Sequence, residues 1–277
     1  MYSAEISRTN PAMILFLIDQ SGSMQDDWGG RPGHKKADGV AMAINRALYE
    51  LTIRCAKEEG VRDYFDVGVI GYGAVVGPVL AGSLAGREIV SIGQIASSPV
   101  RVEDKVRQVE DGAGGLVSQA VKFPVWLDPT ANGGTPMCAA MSRAFDIASS
   151  WVLAHPNSFP PIVINITDGE STDGEPSTDA ERLKSLLTTD GELLLFNLHV
   201  SSTSAEPIVF PSDESRLPDD YARVLYRTAS HLTSSMTAAA NVGTPAVTEG
   251  AKGFVFNGDM VAVITALEIG TRPSNLR

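Results

Sequence analysis

The sequence is poor in cysteine and contains no long apolar run. Only Cys55 and Cys138 occur among 277 residues, and they form no metal-ligand spacing, so a zinc site is not expected. A single disulfide is an open alternative, but a reduced cytosolic protein is favoured. No apolar stretch approaches the roughly 18 residues of a membrane span. The first residues lack the basic and apolar regions of a signal peptide, so we expect a cytoplasmic protein with no membrane partner.

Basic residues are outnumbered by acidic ones. The chain has 22 Lys and Arg against 33 Asp and Glu, and its formal net charge is −11. This balance argues against nucleic acid as the main partner. Hydrophobic residues make up 43% and charged residues 20%, which is typical of a globular protein. We predict a single domain over residues 1–277, with a core at about 10–270.

The sequence also lacks the motifs of common phosphoryl-transfer enzymes. It has no P-loop, no Asp-x-Asp nucleophile pair and no lysine in a recognisable catalytic motif. We therefore predict that the protein is not an enzyme. A Mg-dependent enzyme of phosphoryl transfer stays open as an alternative, because aspartates at strand ends serve that chemistry too.

Strand-like and helical segments alternate along the chain. Residues 12–18 are continuously apolar, which is typical of a strand buried on both faces of a parallel sheet. Residues 64–72 and 75–80 read as strands joined by a tight turn, hence an antiparallel pair. We expect residues 82–131 to form an elaborated insertion with short helices or strands of its own. Together these patterns predict an α/β fold: a doubly wound, mostly parallel central sheet with one antiparallel edge strand and helices on both faces.

Three helix predictions are specific enough to check. Apolar residues at helical spacing predict a helix over about 37–59. Thr135-Pro136 predicts the start of another, over about 136–154. Thr178 and Glu181 match a capping box and predict a helix from there to about 190. The Ser, Thr and Ala-rich segment 233–249 is predicted to be a connector.

Five oxygen-bearing side chains lie just past apolar runs or at a helix start: Asp19, Ser21, Ser23, Thr135 and Asp168. Three hydroxyls and two carboxylates are hard oxygen donors, which Mg²⁺ prefers. Each fragment alone also fits an ordinary turn or helix cap. Asp19 and Asp168 each follow a predicted strand, and open α/β sheets bind ligands beyond the carboxyl ends of their strands.

This five-residue set closely resembles the metal-ion-dependent adhesion site (MIDAS) of von Willebrand factor A (vWA) domains. That motif is Asp-x-Ser-x-Ser, a distant Thr, and an Asp in a Thr-Asp-Gly setting, and all five positions match in order. The resemblance implies a Rossmann-like vWA fold of the intracellular bacterial type, with the strands before Asp19 and Asp168 side by side. It implies a divalent cation, Mg²⁺ first, with Mn²⁺ or Ca²⁺ as alternatives. The serines would bind it directly, the aspartates largely through water, and Thr135 directly in some states.

The same resemblance implies a function in metal-dependent protein–protein interaction. A Glu or Asp of a protein partner would complete the shell of the cation. We expect the partner-binding rim to include Trp28, Arg31 and Glu170, from the loops at 24–36 and 169–176. The family suggests a cytosolic multi-protein system, with an AAA-type ATPase or a kinase or phosphatase as partner. A secreted adhesin is the other alternative, and the missing signal peptide argues against it.

Overall fold

A computed structural model describes residues 2–110, 116–242 and 247–271. The strands are β1 Ala12–Asp19, β2 Ala56–Lys57, β3 Gly60–Val61, β4 Phe65–Tyr72, β5 Val76–Pro78, β6 Val90–Ser91, β7 Arg101–Glu110, β8 Leu116–Val125, β9 Ile162–Thr167, β10 Leu187–Thr188, β11 Gly191–Glu192, β12 Leu194–Val200, β13 Ile208–Val209 and β14 Phe254–Gly258. The helices are α1 Lys36–Cys55, α2 Ile92–Ser97, α3 Met137–Ala154, α4 Ser177–Lys184, α5 Asp220–Thr228, α6 Ser234–Ala240 and α7 Met260–Gly270. In the described part of the chain, no helix combines the length and apolar character needed to cross a membrane.

The central sheet has the strand order β13–β14–β12–β9–β1–β4–β5, and β6 also pairs with β4. The pairs that β1 makes with β4 and β9, and that β12 makes with β9 and β14, are parallel. Strand β5 is antiparallel to β4 at one edge. The predicted mostly parallel sheet with an antiparallel edge strand is confirmed. The two-residue strands β6 and β13 are also antiparallel, and are too short to leave a sequence pattern.

Helices cover both faces of this sheet, as predicted. All eight residues of β1 are buried. Because side chains alternate along a strand, Ile14 and Phe16 join the apolar cluster that includes α1 and α7. Leu15 and Leu17 join the opposite cluster, which includes α3, α4 and α5. Strand β1 is therefore buried on both sides, which explains its continuous apolar run.

Helix α1 is shorter than predicted. It begins at Lys36 and ends at Cys55, whereas the sequence predicts 37–59. The chain then forms the hairpin of β2 and β3, in which Gly60 has a φ of +113°. A left-handed φ suits glycine, so Gly60 allows the chain to begin β3 directly after the turn.

One other helix prediction fails at its boundaries, and one helix was not predicted. The predicted capping box at Thr178 is wrong, because α4 begins at Ser177 and has Pro176 at its N-cap. Helix α4 also ends at Lys184, and the hairpin of β10 and β11 follows. Helix α6 lies in the predicted connector. It buries only Met236 and Ala240, too few apolar positions to show a helical period.

Residues 82–131 form β6, α2 and the two-stranded sheet of β7 and β8. The Gly-rich piece at 112–115 lies outside the described residues. The buried Asn45 of α1 holds the chain that follows β8. Its Oδ1 accepts hydrogen bonds from the backbone N–H groups of Trp126 at 2.7 Å and Leu127 at 3.3 Å. Asn45 Nδ2 donates to the Leu127 carbonyl oxygen at 2.9 Å. The base of the segment is thereby joined to the core.

Candidate metal centre

The two predicted aspartates lie at the carboxyl ends of neighbouring parallel strands. Asp19 is the last residue of β1, and Asp168 directly follows β9. These strands are paired in register, with Ile18 opposite Ile166. The chain continues from β1 to β4 on one side and reaches β9 on the other, so the strand order reverses between β1 and β9. This is the edge at which open α/β sheets form ligand sites.

Three of the predicted ligands lie in direct contact. Ser23 Oγ donates a 2.9 Å hydrogen bond to Asp168 Oδ1, and Ser21 Oγ is 3.5 Å from the same oxygen. The two serine hydroxyl oxygens are 3.0 Å apart. The backbone N–H of Ser21 donates to Asp19 Oδ1 at 2.8 Å, which fixes the start of the serine loop. The loop thus gathers two hydroxyls and a carboxylate oxygen within a few ångströms.

The loop that contains Thr135 is tied to the serine loop, but Thr135 itself forms hydrogen bonds with Thr172 rather than with the serine–aspartate cluster. The Gly22 N–H donates to the Gly133 carbonyl at 2.9 Å, which ties the threonine loop to the serine loop. Gly133 has a φ of +95°, and a Cβ there would lie 2.3 Å from the backbone nitrogen of Ala74. Glycine is therefore required for this close approach. Thr135 itself is buried, and its N–H donates to Thr172 Oγ1 at 3.0 Å.

Asp19 is a fully buried carboxylate at the base of the cluster. Its Oδ2 accepts a 2.8 Å hydrogen bond from Thr167 Oγ1, the residue before Asp168. Burial raises the pKa of Asp19; the hydrogen bonds from Ser21 and Thr167 oppose this shift, and the charge of Asp168 adds to it. A nearby cation would favour the charged form. An oxygen-rich pocket with a destabilised carboxylate at its base fits a hard divalent cation.

Sequence reasoning missed Lys36, the first residue of α1. Its Nζ lies 2.6 Å from Asp168 Oδ2, 2.8 Å from Ser202 Oγ and 3.7 Å from Asp26 Oδ2. Only 3% of the Lys36 side chain is exposed, and the Asp168 side chain is fully buried. In the sequence Lys36 stands beside Lys35 in a polar loop, so no signal distinguishes the buried lysine from its partly exposed neighbour.

Two buried tyrosine hydroxyls form hydrogen bonds with β9 and with the loop that follows it. Tyr221 Oη donates to the Gly169 carbonyl oxygen, directly after Asp168. Tyr72 Oη donates to Asn165 Oδ1 at 2.7 Å in the interior of the sheet. Burial raises the pKa of both tyrosines, so both hydroxyls stay protonated and donate at neutral pH. Nothing in the sequence around Tyr72 or Tyr221 predicted that they lie near the candidate metal centre.

The three predicted rim residues have different surroundings. Trp28 is only 5% exposed, and its Nε1–H donates to the Gly258 carbonyl at 2.7 Å. The indole therefore packs under the loop and offers little surface to a partner. Arg31 and Glu170 are exposed. A cleft of about 500 Å³ opens beside this loop, between Arg31, residues 203–207 and residues 257–260.

Asp173, in the loop after Asp168, accepts hydrogen bonds from the first turn of α3. Its carboxylate accepts hydrogen bonds from the backbone N–H groups of Cys138 at 3.0 Å and Ala139 at 2.9 Å. Burial would raise the pKa of Asp173, but these bonds and one from the Ser171 hydroxyl outweigh it and lower the pKa. Among the residues that the structure describes, no group of three or more His, Cys, Asp or Glu side chains could hold a metal ion. A cation at the candidate centre would thus depend on the serine and threonine hydroxyls.

No protein-family model and no curated protein matches the chain. Solved structures resemble it at low sequence identity. One is the vWF domain of the type V pili tip protein Mfa5 from Porphyromonas gingivalis, with 13% identity and a TM-score of 0.32, covering 58% of this chain and 39% of that one. Another is the ArnB paralog VWA2 from Sulfolobus acidocaldarius, with 13% identity and a TM-score of 0.35, covering 70% and 36%.

A third is the pilus adhesin RrgA from Streptococcus pneumoniae, with 14% identity and a TM-score of 0.32, covering 61% of this chain and 22% of that one. The chain therefore spans well under half the length of each of these three proteins. At TM-scores of this size, no property of these proteins is transferred to the chain.

Proposed function

We propose that the chain is a protein-interaction module that binds a partner carboxylate through a divalent cation, Mg²⁺ in the first instance. The observation that supports this most is the contact of Ser21, Ser23 and Asp168 at the strand ends, with 2.9 Å between Ser23 Oγ and Asp168 Oδ1. Neutral hydroxyls and a single carboxylate oxygen are small ligands, and they suit a hard cation that keeps part of its shell for water.

In this proposal the cation supplies an open position for an anionic oxygen of the partner. The chain's own residues arrange the ligands. Asp19 accepts the Ser21 N–H and so orients the serine loop, while Thr167 holds Asp19 in place. Gly133 brings the loop of Thr135 against the same edge. None of these roles requires a nucleophile or a general base, and so the site is proposed for binding rather than catalysis.

The partner in this proposal presents a Glu or Asp from a neutral or basic surface. The loop after Asp168 contains further acidic residues, among them the exposed Glu170, which would repel a broadly acidic partner. Exposed Arg31, in the loop at 24–36, would offer a complementary contact to an acidic side chain of the partner. Following the resemblance, we place the interaction in a cytosolic assembly that contains an AAA-type ATPase, a kinase or a phosphatase.

Affinity capture tests the proposal. The immobilised chain is exposed to a lysate of the cells that produce it, with Mg²⁺ or with chelator. The wild type is compared with Ser21→Ala and with the control Ser150→Ala on the exposed side of α3. We expect the same retained protein with the wild type and the control in Mg²⁺, and its loss in chelator and with Ser21→Ala. Equal retention under all conditions would contradict metal-dependent binding.

A further inference from the structure

Lys36 is a buried lysine in an electrostatically unfavourable position. It is the first residue of α1, and a cation near a helix N-terminus is disfavoured by the helix dipole. Lysines are almost never fully buried unless their charge is paired. Within the described residues, its two carboxylate contacts are Asp168 at 2.6 Å and the exposed Asp26 at 3.7 Å. The contact with Asp168 therefore accounts for the burial of this ammonium group.

The two oxygens of Asp168 have different neighbours. Oδ1 accepts the hydroxyl of Ser23 at 2.9 Å, on the side of the candidate ligands. Oδ2 lies against Lys36 Nζ at 2.6 Å. One carboxylate is thus shared between the hydroxyl cluster and the side-chain nitrogen of Lys36. Ser202 Oγ also accepts a hydrogen bond from Nζ at 2.8 Å, but this hydroxyl is neutral and does not offset the charge of Lys36.

We infer that Lys36 is a built-in counter-ion that weakens metal binding at the Asp168 site and strengthens the binding of an anionic ligand to the metal-loaded site. This inference rests on the proposed function. In formal charge, Lys36 reduces the two negative charges of Asp19 and Asp168 to one. A divalent cation then leaves one positive charge instead of none, and an anionic ligand neutralises it. The lysine thereby couples occupancy by the metal to occupancy by a carboxylate.

A purely structural role for the ion pair would change the metal and carboxylate affinities in a different way. If Lys36 only joined α1 to the Asp168 loop, its loss would loosen the site and weaken both equilibria together. The counter-ion role predicts opposite changes: tighter metal binding and weaker carboxylate binding. The sign of the two changes therefore separates the alternatives without knowledge of the natural partner.

The test uses Mn²⁺ as the metal and acetate as the carboxylate. Calorimetry gives the Mn²⁺ affinity, and water-proton relaxation of the Mn²⁺-loaded protein, titrated with acetate, reports displacement of bound water. The variants are Lys36→Met, Lys36→Gln as a second neutral variant should the first not fold, and Lys36→Arg, which keeps the charge. The matched control is Lys35→Met, since Lys35 is a partly exposed neighbour paired with Asp27 at 2.9 Å.

We expect the neutral Lys36 variants to bind Mn²⁺ about tenfold more tightly and acetate several-fold more weakly, in the usual range of coupling between two sites. Lys36→Arg and Lys35→Met should resemble the wild type. Unchanged affinities, or both affinities weakened, in a neutral variant of a metal-binding protein would overturn the counter-ion role and leave the proposed function standing. No Mn²⁺ binding by any folded form would overturn both.

Discussion

Thr167 Oγ1 donates a 2.8 Å hydrogen bond to Asp19 Oδ2 across the carboxyl ends of two paired parallel strands. Both residues are fully buried. The bond joins the strand that leads into the serine loop to the strand that leads into Asp168. A buried side-chain hydrogen bond thus links the two halves of the candidate centre.

Replacement of Thr167 by valine keeps the shape and removes the donor. A buried carboxylate oxygen is then left unpaired, and we expect a loss of about 1–3 kcal/mol in the free energy of unfolding. Chemical denaturation measures this loss, and metal affinity should fall as well. Thr167→Ser retains the hydroxyl and is the matched control. Equal stability of the valine and serine variants would show that the bond has no role.

The sequence predicted the fold class because its signals are local. The apolar run of β1 predicts a buried strand, and the tight turn before β5 predicts an antiparallel pair. Both predictions are confirmed. The five candidate ligands were recognisable from their order, and the structure brings Ser21, Ser23 and Asp168 into contact. Lys36 and Tyr221 were not, because their roles arise only when distant segments pack around Asp168. The burial of Trp28 could not be predicted for the same reason, because it depends on contact with Gly258, 230 residues away.

The raised pKa of Asp19 predicts an effect on stability that depends on metal. A carboxylate whose pKa is higher in the folded than in the unfolded protein destabilises the fold as pH rises through that interval. At neutral pH without metal, Asp19→Asn should therefore melt at the same temperature as the wild type or higher. In Mg²⁺ at a hundredfold excess over Kd, only the wild type should gain stability, by roughly 5–10 °C.

Thermal melts in Mg²⁺, Mn²⁺ and chelator measure both effects. Asp146→Asn, on the exposed side of α3, is the control and should keep the full metal-induced shift. The account would be wrong if Asp19→Asn kept that shift too. Identical melting temperatures of the wild type in all three solutions would argue against any stabilising cation.

The attachment of the segment 82–131 depends on Asn45. Its side chain satisfies the backbone of Trp126 and Leu127, where the segment returns to the core. Asn45→Ala leaves these buried groups without partners, and we expect a loss of about 2–4 kcal/mol in the free energy of unfolding. The exposed Asn157→Ala should change it by less than about 0.5 kcal/mol.

Limited proteolysis then shows where the effect lies. In the wild type the base of the segment should resist cleavage, and in Asn45→Ala it should be cut first. Rapid cleavage throughout residues 82–131 of the wild type would mean that the segment is a disordered insert, contrary to this arrangement.

The location of the cation is tested most directly by a crystal structure of the protein with Mn²⁺, recorded at a wavelength where manganese scatters anomalously. We predict one strong anomalous peak per chain, at about 2.1 Å from the hydroxyl oxygens of Ser21 and Ser23 and beside Asp168. The peak should be lost in Ser21→Ala crystals grown under the same conditions. A peak only at the acidic residues 170–181, or no peak at millimolar Mn²⁺, would contradict a metal centre at the ends of β1 and β9.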